Sequence, residues 1–276
     1  MNIKITNIVK IAFEAGEIMK DFFYEKNFIK SKKDDSSDVT SADLKVSEFI
    51  YSQLSNLSPN IPIICEERKK TKITSDIFFL IDPIDGTSSF IKGRNEFSVN
   101  IALIKNNKPI FGLIYAPIFQ GGKLAYNDFD NNVFLYKNII ENAANIDKFL
   151  KEDALSILKN PKNNNIKKII TSRRTDDNQI NKLIKQDLKL ADHDFEIAKL
   201  SSAAKFFYLI EQNYDYYIHL NPTMSWDIAA GQAIIEQLNY KVNILQLNNN
   251  DHIAKKYLSY NNKDYFNPPF IITKNG

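Results

Sequence analysis

Apolar positions recur at helical spacing at the start of the chain. Ile8, Ile11, Ala15, Ile18, Met19 and Phe22 fall on one face, which predicts an amphipathic helix over roughly residues 5–24. The stretch from Ile29 to Val39 is polar, charged and without apolar period, and reads as a loop or a loose hairpin. Thr40 or Ser41 can cap a second helix running to about Leu57, with Leu44, Phe49 or Ile50, and Leu54 turned inward. Short apolar runs follow. Ile61–Cys65 predicts a strand ending directly in Glu66-Glu67, and Ile77–Ile81 a buried strand ending directly in Asp82. Phe97–Ile104 and Pro109–Ala116 predict two more strands joined by a turn at Asn106-Asn107. Gly121–Tyr126 and Asn132–Tyr136 continue an antiparallel pattern.

After a variable-looking stretch over 138–165, the pattern alternates. It predicts a strand at Lys168–Thr171, helices at Asp177–Gln186 and Ser201–Glu211, a strand at Tyr214–His219 and a helix at Ser225–Leu238. Helices, then a run of strands, then alternating elements predict an α+β chain built in layers. The expected lobes are 1–137 and 138–276.

Composition adds little to this picture. Among the 276 residues, 43% are hydrophobic and 25% charged, ordinary values for a globular protein. The net charge of +3 gives no reason to invoke a nucleic-acid polymer and does not repel an anionic small molecule. Cys65 is the single cysteine, so an internal disulfide is excluded. The first twenty residues lack the uninterrupted apolar core of a signal peptide or a transmembrane span. A cytoplasmic location is expected, with peripheral contact at the inner membrane left open. The runs Asn163–Asn165 and Asn248–Asn250 read as loop filler.

Candidate chemistry gathers where strands end. Asp82 and Asp85 follow a buried strand, with Pro83 between them removing an amide donor and helping to break the strand off. Gly86 lets the backbone come close to a ligand, and Thr87 offers a hydroxyl. Glu66 also follows a strand; if those strands are neighbours, three carboxylates converge. Unpaired, they would drive one another towards protonation, a conflict that divalent cations remove. An all-oxygen set suits Mg²⁺ rather than Zn²⁺. The competing reading is that Asp-Pro and Asp-Gly merely form turns.

The string D-P-I-D-G-T-S-S-F at 82–90 resembles the signature of the inositol monophosphatase superfamily. Trp226-Asp227-Ile228-Ala229-Ala230-Gly231 resembles its second signature, Glu66-Glu67 its paired glutamates, and Val39–Asp43 its V-T-x-A-D element. These elements stand in the family's order between about residues 30 and 232. The segments around them are similar to the CysQ-type 3′(2′),5′-bisphosphate nucleotidases: Phe90–Lys92, Glu96–Ile104, Ser172-Arg173, Ser202 with Lys205 and Phe206, Pro222-Thr223 and Phe266–Pro268. The chain departs from that subgroup in having Ser88-Ser89 for Lys-Glu and His219 for Arg. An imidazole cannot grip a phosphate bidentately as a guanidinium can, so the departure bears on recognition of a nucleotide, not on hydrolysis.

The resemblance implies a layered αβαβα fold and two or three Mg²⁺ ions held by Glu66, Asp82, Asp85, Asp227 and the Ile84 carbonyl. It implies that Asp43 and Thr87 orient or deprotonate the attacking water. Backbone amides of Gly86 and Thr87 would hold phosphate oxygens if a helix starts there. Ser172, Arg173, Ser202, Lys205 and Asp227 are the candidate substrate contacts. Each has a plainer alternative: Asp43 and Asp227 can serve the first turn of a helix, while Lys205, Ser172 and Arg173 can be solvated. Arg174 reads as solvated, His193 and His219 as structural or functional alike, and Cys65 as a small buried residue.

The expected reaction is in-line hydrolysis without a phosphoenzyme, since no nucleophilic Cys or His sits within these motifs. The leading substrate is adenosine 3′,5′-bisphosphate, with its sulfated relative beside it. Inositol or sugar monophosphates come next, and a phosphate-binding protein that has lost turnover is the alternative of another class. The resemblance also implies lithium sensitivity and leaves room for a homodimer.

Overall fold

The computed structural model describes residues 3–33, 36–69, 75–142, 155–156, 166–211, 213–246, 258–260 and 264–274. Most of the stretch expected between the lobes and both asparagine runs lie outside them. Helix α1 (Ile5–Glu25) buries Ile8, Ile11, Ala12, Ala15 and Met19 on one face and ends where Lys26 enters the left-handed region at φ 51°. The polar segment after it forms a small antiparallel hairpin, β1 (Lys30–Lys32) and β2 (Asp38–Thr40). Thr40 then caps α2 (Ser41–Leu57), accepting from the amides of Ala42 and Asp43. The buried row of α2 is Ala42, Val46, Ile50 and Leu54, spaced by four. Leu44 lies about 200° round the helix from Ala42 and is 52% exposed, contrary to the inward position expected for it.

Strands β3 (Ile63–Cys65) and β4 (Ile77–Asp85) follow, then a short helix α3 (Thr87–Ile91), β5 (Ser98–Lys105), β6 (Lys108–Ala116), β7 (Lys123–Asn127) and β8 (Val133–Lys137). Asn106 and Asn107 both take positive φ, 50° and 64°, as a tight two-residue hairpin turn requires. Helix α4 (Ile139–Asn142) and β9 (Leu155–Ser156) close the first half. The second half runs β10 (Lys167–Ser172), α5 (Asp177–Asp187), β11 (Phe195–Leu200), α6 (Ala204–Ile210), β12 (Tyr216–His219) and β13 (Thr223–Met224). It continues with α7 (Ser225–Glu236), β14 (Tyr240–Ile244), β15 (Phe266–Asn267) and β16 (Phe270–Lys274). Strands β9, β11, β13, β14, β15 and β16 were not among the predicted elements, although Tyr240–Ile244 alternates and Phe270–Ile272 is an apolar run.

One expectation about the signature fails. Strand β4 does not end at Asp82; it runs through Pro83 to Asp85. Its pairing with β5 shifts register between Asp82 and Asp85. A bulge frees one residue from the ladder, so a proline costs no hydrogen bond there. Pro83 therefore sits inside the bulge that re-aims both aspartates instead of terminating the strand.

Strands β3 to β9 form a seven-stranded sheet in sequence order, antiparallel except for β3 with β4. The order in the five-stranded sheet is β11-β10-β12-β16-β14. Strict alternation along β4, β5 and β6 buries both faces of the larger sheet. Phe79, Ile81, Val99, Ile101, Leu113 and Tyr115 pack with α1 and α2, while Phe78, Leu80, Ala102, Ile104 and Ile114 pack with α6, α7 and the smaller sheet. Helix α5 covers that sheet's far side through Ile180, Leu183 and Ile184. The layers are thus αβαβα, as expected. Helix α7 is apolar around most of its circumference and lies between the sheets. A Cβ on Gly112 of β6 would stand 2.0 Å from the Ala230 carbonyl oxygen, so the helix rests directly on strand backbone. Among the described residues, no helix is long and apolar enough to cross a membrane.

Candidate active site

The bulge in β4 and the start of α7 deliver carboxylates to one point. Oxygens of Asp82, Asp85 and Asp227 lie within 4.8 Å of one another. Asp82 is 2% exposed, and its Oδ1 is buried without a hydrogen-bond partner. Burial, then the neighbouring charges of Glu66, Asp85 and Asp227, push the Asp82 carboxyl well above its ordinary range. Asp227 is driven up strongly by burial and by Asp85 and Glu66. Asp85 rises from burial too, opposed by the Lys205 ammonium and by a donated Ala203 amide. Such a set is costly unless something positive stands among the oxygens. Its hard, all-oxygen donors and an orphaned buried carboxylate oxygen fit a divalent cation of the Mg²⁺ kind.

Glu66 is not one of the three that close to within 4.8 Å, but it adjoins Asp82 and raises its carboxyl. Lys33, in the turn of the β1–β2 hairpin, places its ammonium 2.6 Å from both Glu66 Oε1 and Glu67 Oε1. Burial alone would lower the lysine, but the two glutamates win and hold it firmly charged. Glu67, 5% exposed at its side chain, is pushed up to about 7 by burial and by Glu66. Lys33 and Glu67 carried no signal as a pair in the sequence, because their partnership exists only through the hairpin.

The predicted Asp43–Thr87 pair is present. Thr87 Oγ1 donates to Asp43 Oδ1 at 2.9 Å, with the Ile84 carbonyl as a second acceptor at 3.1 Å. The other Asp43 oxygen accepts from the Thr40 amide at 2.8 Å and the Thr40 hydroxyl at 2.6 Å. Asp43 therefore closes a capping box at the start of α2 and accepts from Thr87 as well. Burial lifts its carboxyl above the usual range against the pull of these donors.

Gly86 caps α3 at φ 97°, a left-handed position, with the amides of Ser89 and Phe90 returning to its own carbonyl. Gly86, Thr87, Ser172, Arg173, Ser202, Lys205 and Asp227 all line one cavity of about 660 Å³, together with Glu66, Asp85 and His219. Asp43 and the Ile84 carbonyl adjoin the cavity through Thr87, which hydrogen-bonds to both. Lys205 is buried on α6, and burial lowers its ammonium to about 8 against the attraction of Asp85 and Asp227. His219 accepts or donates at Nδ1 to the Tyr217 hydroxyl at 3.1 Å and stacks on Phe270. Burial, helped by Lys205, drives its imidazole down to about 3, so it is neutral. Arg173 reaches the cavity but is engaged by Glu96, through Nε at 2.8 Å and through Nη2. Exposed Lys92, Arg94 and Arg174 stand around the cavity's rim. His193 is 86% exposed at its side chain and stands outside this cavity. Sequence reasoning did not single out Lys33, Glu96, Asn100 or Tyr217.

Over residues 2–269 the chain matches the inositol monophosphatase family. It is 28% identical, over 280 residues, to the 3′(2′),5′-bisphosphate nucleotidase CysQ of Haemophilus influenzae, covering 97% of this chain and 91% of that one. Its structure is similar to that of CysQ from Bacteroides thetaiotaomicron, at a TM-score of 0.75 and 23% identity, over 98% of this chain and 96% of that one. It is also similar to an IMPase/NADP phosphatase complexed with Mg²⁺ and phosphate, at a TM-score of 0.69 and 17% identity, over 95% and 86% of the two chains.

Proposed function

The chain belongs to the inositol monophosphatase family, and from that premise we propose that it is a Mg²⁺-dependent phosphomonoesterase acting on the 3′-phosphate of adenosine 3′,5′-bisphosphate. The observation that carries the reading is the cluster of Asp82, Asp85 and Asp227, with its orphaned Asp82 oxygen, at a cavity rimmed by Lys92, Arg94 and Arg174. The relatives' nucleotidase names and the Mg²⁺ and phosphate bound to a structural neighbour support it. Asp82, Asp85, Asp227, Glu66 and the Ile84 carbonyl would hold the ions. Divalent metals in such a site acidify water, polarise the phosphoryl oxygens and stabilise the departing alkoxide.

The chain's own residues supply orientation and proton handling. Thr87 has one hydroxyl proton and two acceptors within reach, Asp43 and Ile84. The charged carboxylate is the stronger acceptor, which leaves the hydroxyl lone pairs to receive a proton from an attacking water. Asp43, lifted by burial, is a better base than an ordinary aspartate, and three donated hydrogen bonds fix its direction. Lys205 holds positive charge beside Asp85 and Asp227, where it offsets part of the carboxylates' repulsion for a phosphate. Gly86 and Thr87, with Ser172, Ser202 and Arg173, line the space left for the ester.

Neutral His219 favours a second reading, an inositol or sugar monophosphate, because it offers hydrogen bonds suited to hydroxyls and no charge for a second phosphate. Phosphate release from adenosine 3′,5′-bisphosphate and from inositol 1-phosphate, assayed side by side with Mg²⁺, separates the two. Faster turnover of the nucleotide is expected, and faster turnover of the inositol ester replaces the first reading with the second. Lithium should slow the reaction in either case. Asp85→Asn should bring release to background while the circular dichroism spectrum stays native; wild-type turnover in that variant would remove the metal assignment.

A further inference from the structure

Glu96 is a carboxylate with 6% exposure that makes no hydrogen bond to the acid cluster among the described residues, yet it accepts three hydrogen bonds from Arg173 and Ser201. Its Oε2 accepts from Arg173 Nε at 2.8 Å and from the Ser201 amide at 2.8 Å, and its Oε1 accepts from Arg173 Nη2. The turn it grips is strained: Ser202 holds φ 59°, a left-handed conformation that a non-glycine residue keeps only when its surroundings impose it. Immediately beyond, the Ala203 amide donates to Asp85 Oδ2, which Asn100 Nδ2 also reaches at 3.3 Å. The turn is pressed from below as well. A Cβ on Gly86 would meet the Glu96 carbonyl at 2.7 Å and Ser202 Cβ at 3.0 Å, and Ser98 Oγ lies 3.2 Å from Ser202 Oγ.

The geometry points to Glu96 as a positioning residue: by holding the Ser201 amide it keeps the 201–203 turn in its left-handed form, so that the Ala203 amide fixes the Asp85 carboxylate for metal. Arg173 acts within this clip as the counter-charge of Glu96, and not as a ligand of the substrate phosphate. Both ends of the guanidinium fork that face Glu96 are occupied, which is the geometry of a bidentate structural pair. Partners that orient a ligating carboxylate from behind typically change metal affinity by about 10–100-fold when removed. The inference rests on the reading of Asp85 as a metal ligand.

The test is Mn²⁺ binding to the full-length protein, by titration calorimetry, at a temperature well below unfolding. Wild type, Asp85→Asn, Glu96→Gln, Arg173→Ala and the Glu96→Gln/Arg173→Ala double variant are compared, with inorganic phosphate binding measured on each. Glu96→Gln is isosteric, and it is expected to weaken Mn²⁺ binding about tenfold, an effect that a residue important only for stability would not produce below unfolding. Arg173→Ala should do the same, and the double variant should be no weaker than the worse single one, because the two residues act as a unit. The Arg173 side chain is 41% exposed, so its removal carries the test even if Glu96→Gln does not fold. Wild-type Mn²⁺ affinity in both single variants overturns the inference. So does an Arg173→Ala variant that binds Mn²⁺ normally but loses phosphate, which would make Arg173 a phosphate ligand. If wild type and Asp85→Asn bind Mn²⁺ alike, the metal reading falls and the inference falls with it. If Asp85→Asn alone loses Mn²⁺, only the inference falls.

Discussion

Asp43 accepts from a threonine on each side of it, Thr40 through one carboxylate oxygen and Thr87 through the other. An asparagine in its place must turn an NH₂ group towards one of those donors and cannot take a proton. Asp43→Asn should therefore lower turnover by about 10²- to 10⁴-fold while costing on the order of 1 kcal/mol of stability from the damaged cap. Steady-state rates and a thermal melt on the same preparation check both numbers; a rate loss below tenfold would reduce Asp43 to its capping role. At this scale the residues legible in the sequence were those that stand in contiguous strings, such as Asp82–Thr87 and Trp226–Gly231. Lys33 stands in no such string, and Glu96, though it opens the Glu96–Ile104 segment, carries no legible role there. Their partners lie 33, 34, 77 and 105 positions away, and only the folded chain brings them together.

Elements were legible where one face is buried and the other wet. Helices α1 and α2 and the hairpin turn at Asn106-Asn107 followed from period and turn chemistry alone. The β4 strand did not end where it was expected to, because pattern reading takes Pro83 as a stop, whereas a bulge tolerates it. Strand β11 escaped notice because its residues are mostly half-buried at a sheet edge. Packing of α7 on β6 was likewise invisible in the string, since it depends on one absent side chain. Gly112→Ala would set a methyl 2.0 Å from the Ala230 carbonyl oxygen, against backbone that cannot rotate away. The expected outcome is a loss of about 1–3 kcal/mol, seen as a lower denaturant midpoint. Because α7 carries Asp227, weaker Mn²⁺ binding should accompany it. An unchanged midpoint would mean that the helix can shift without cost.

For the molecule as a whole, the acid cluster is a junction. Asp82 and Asp85 belong to the seven-stranded sheet, while Asp227 comes from the helix that packs between the two sheets. The layered architecture was legible from the order of predicted elements and from the family resemblance, but how strand alternation feeds two separate cores is set only when the sheet is folded between its helices. A cation bound at such a junction joins elements that unfolding separates, so it binds the native state alone. Mg²⁺ at a hundred times its dissociation constant should stabilise the protein by about 2.7 kcal/mol, and a chelator should remove that increment in a thermal scan; identical melting with and without Mg²⁺ would contradict the site. The same junction sets an order of events during synthesis. After Asp85 is added to the chain, 142 further residues (227 minus 85) must follow before Asp227 exists. For that interval a nascent chain carries an incomplete cage of acids. Lys33 has by then already been made and can neutralise Glu66 and Glu67, as it does in the folded chain, so the growing chain brings its own counter-ion to the edge of the proposed metal site.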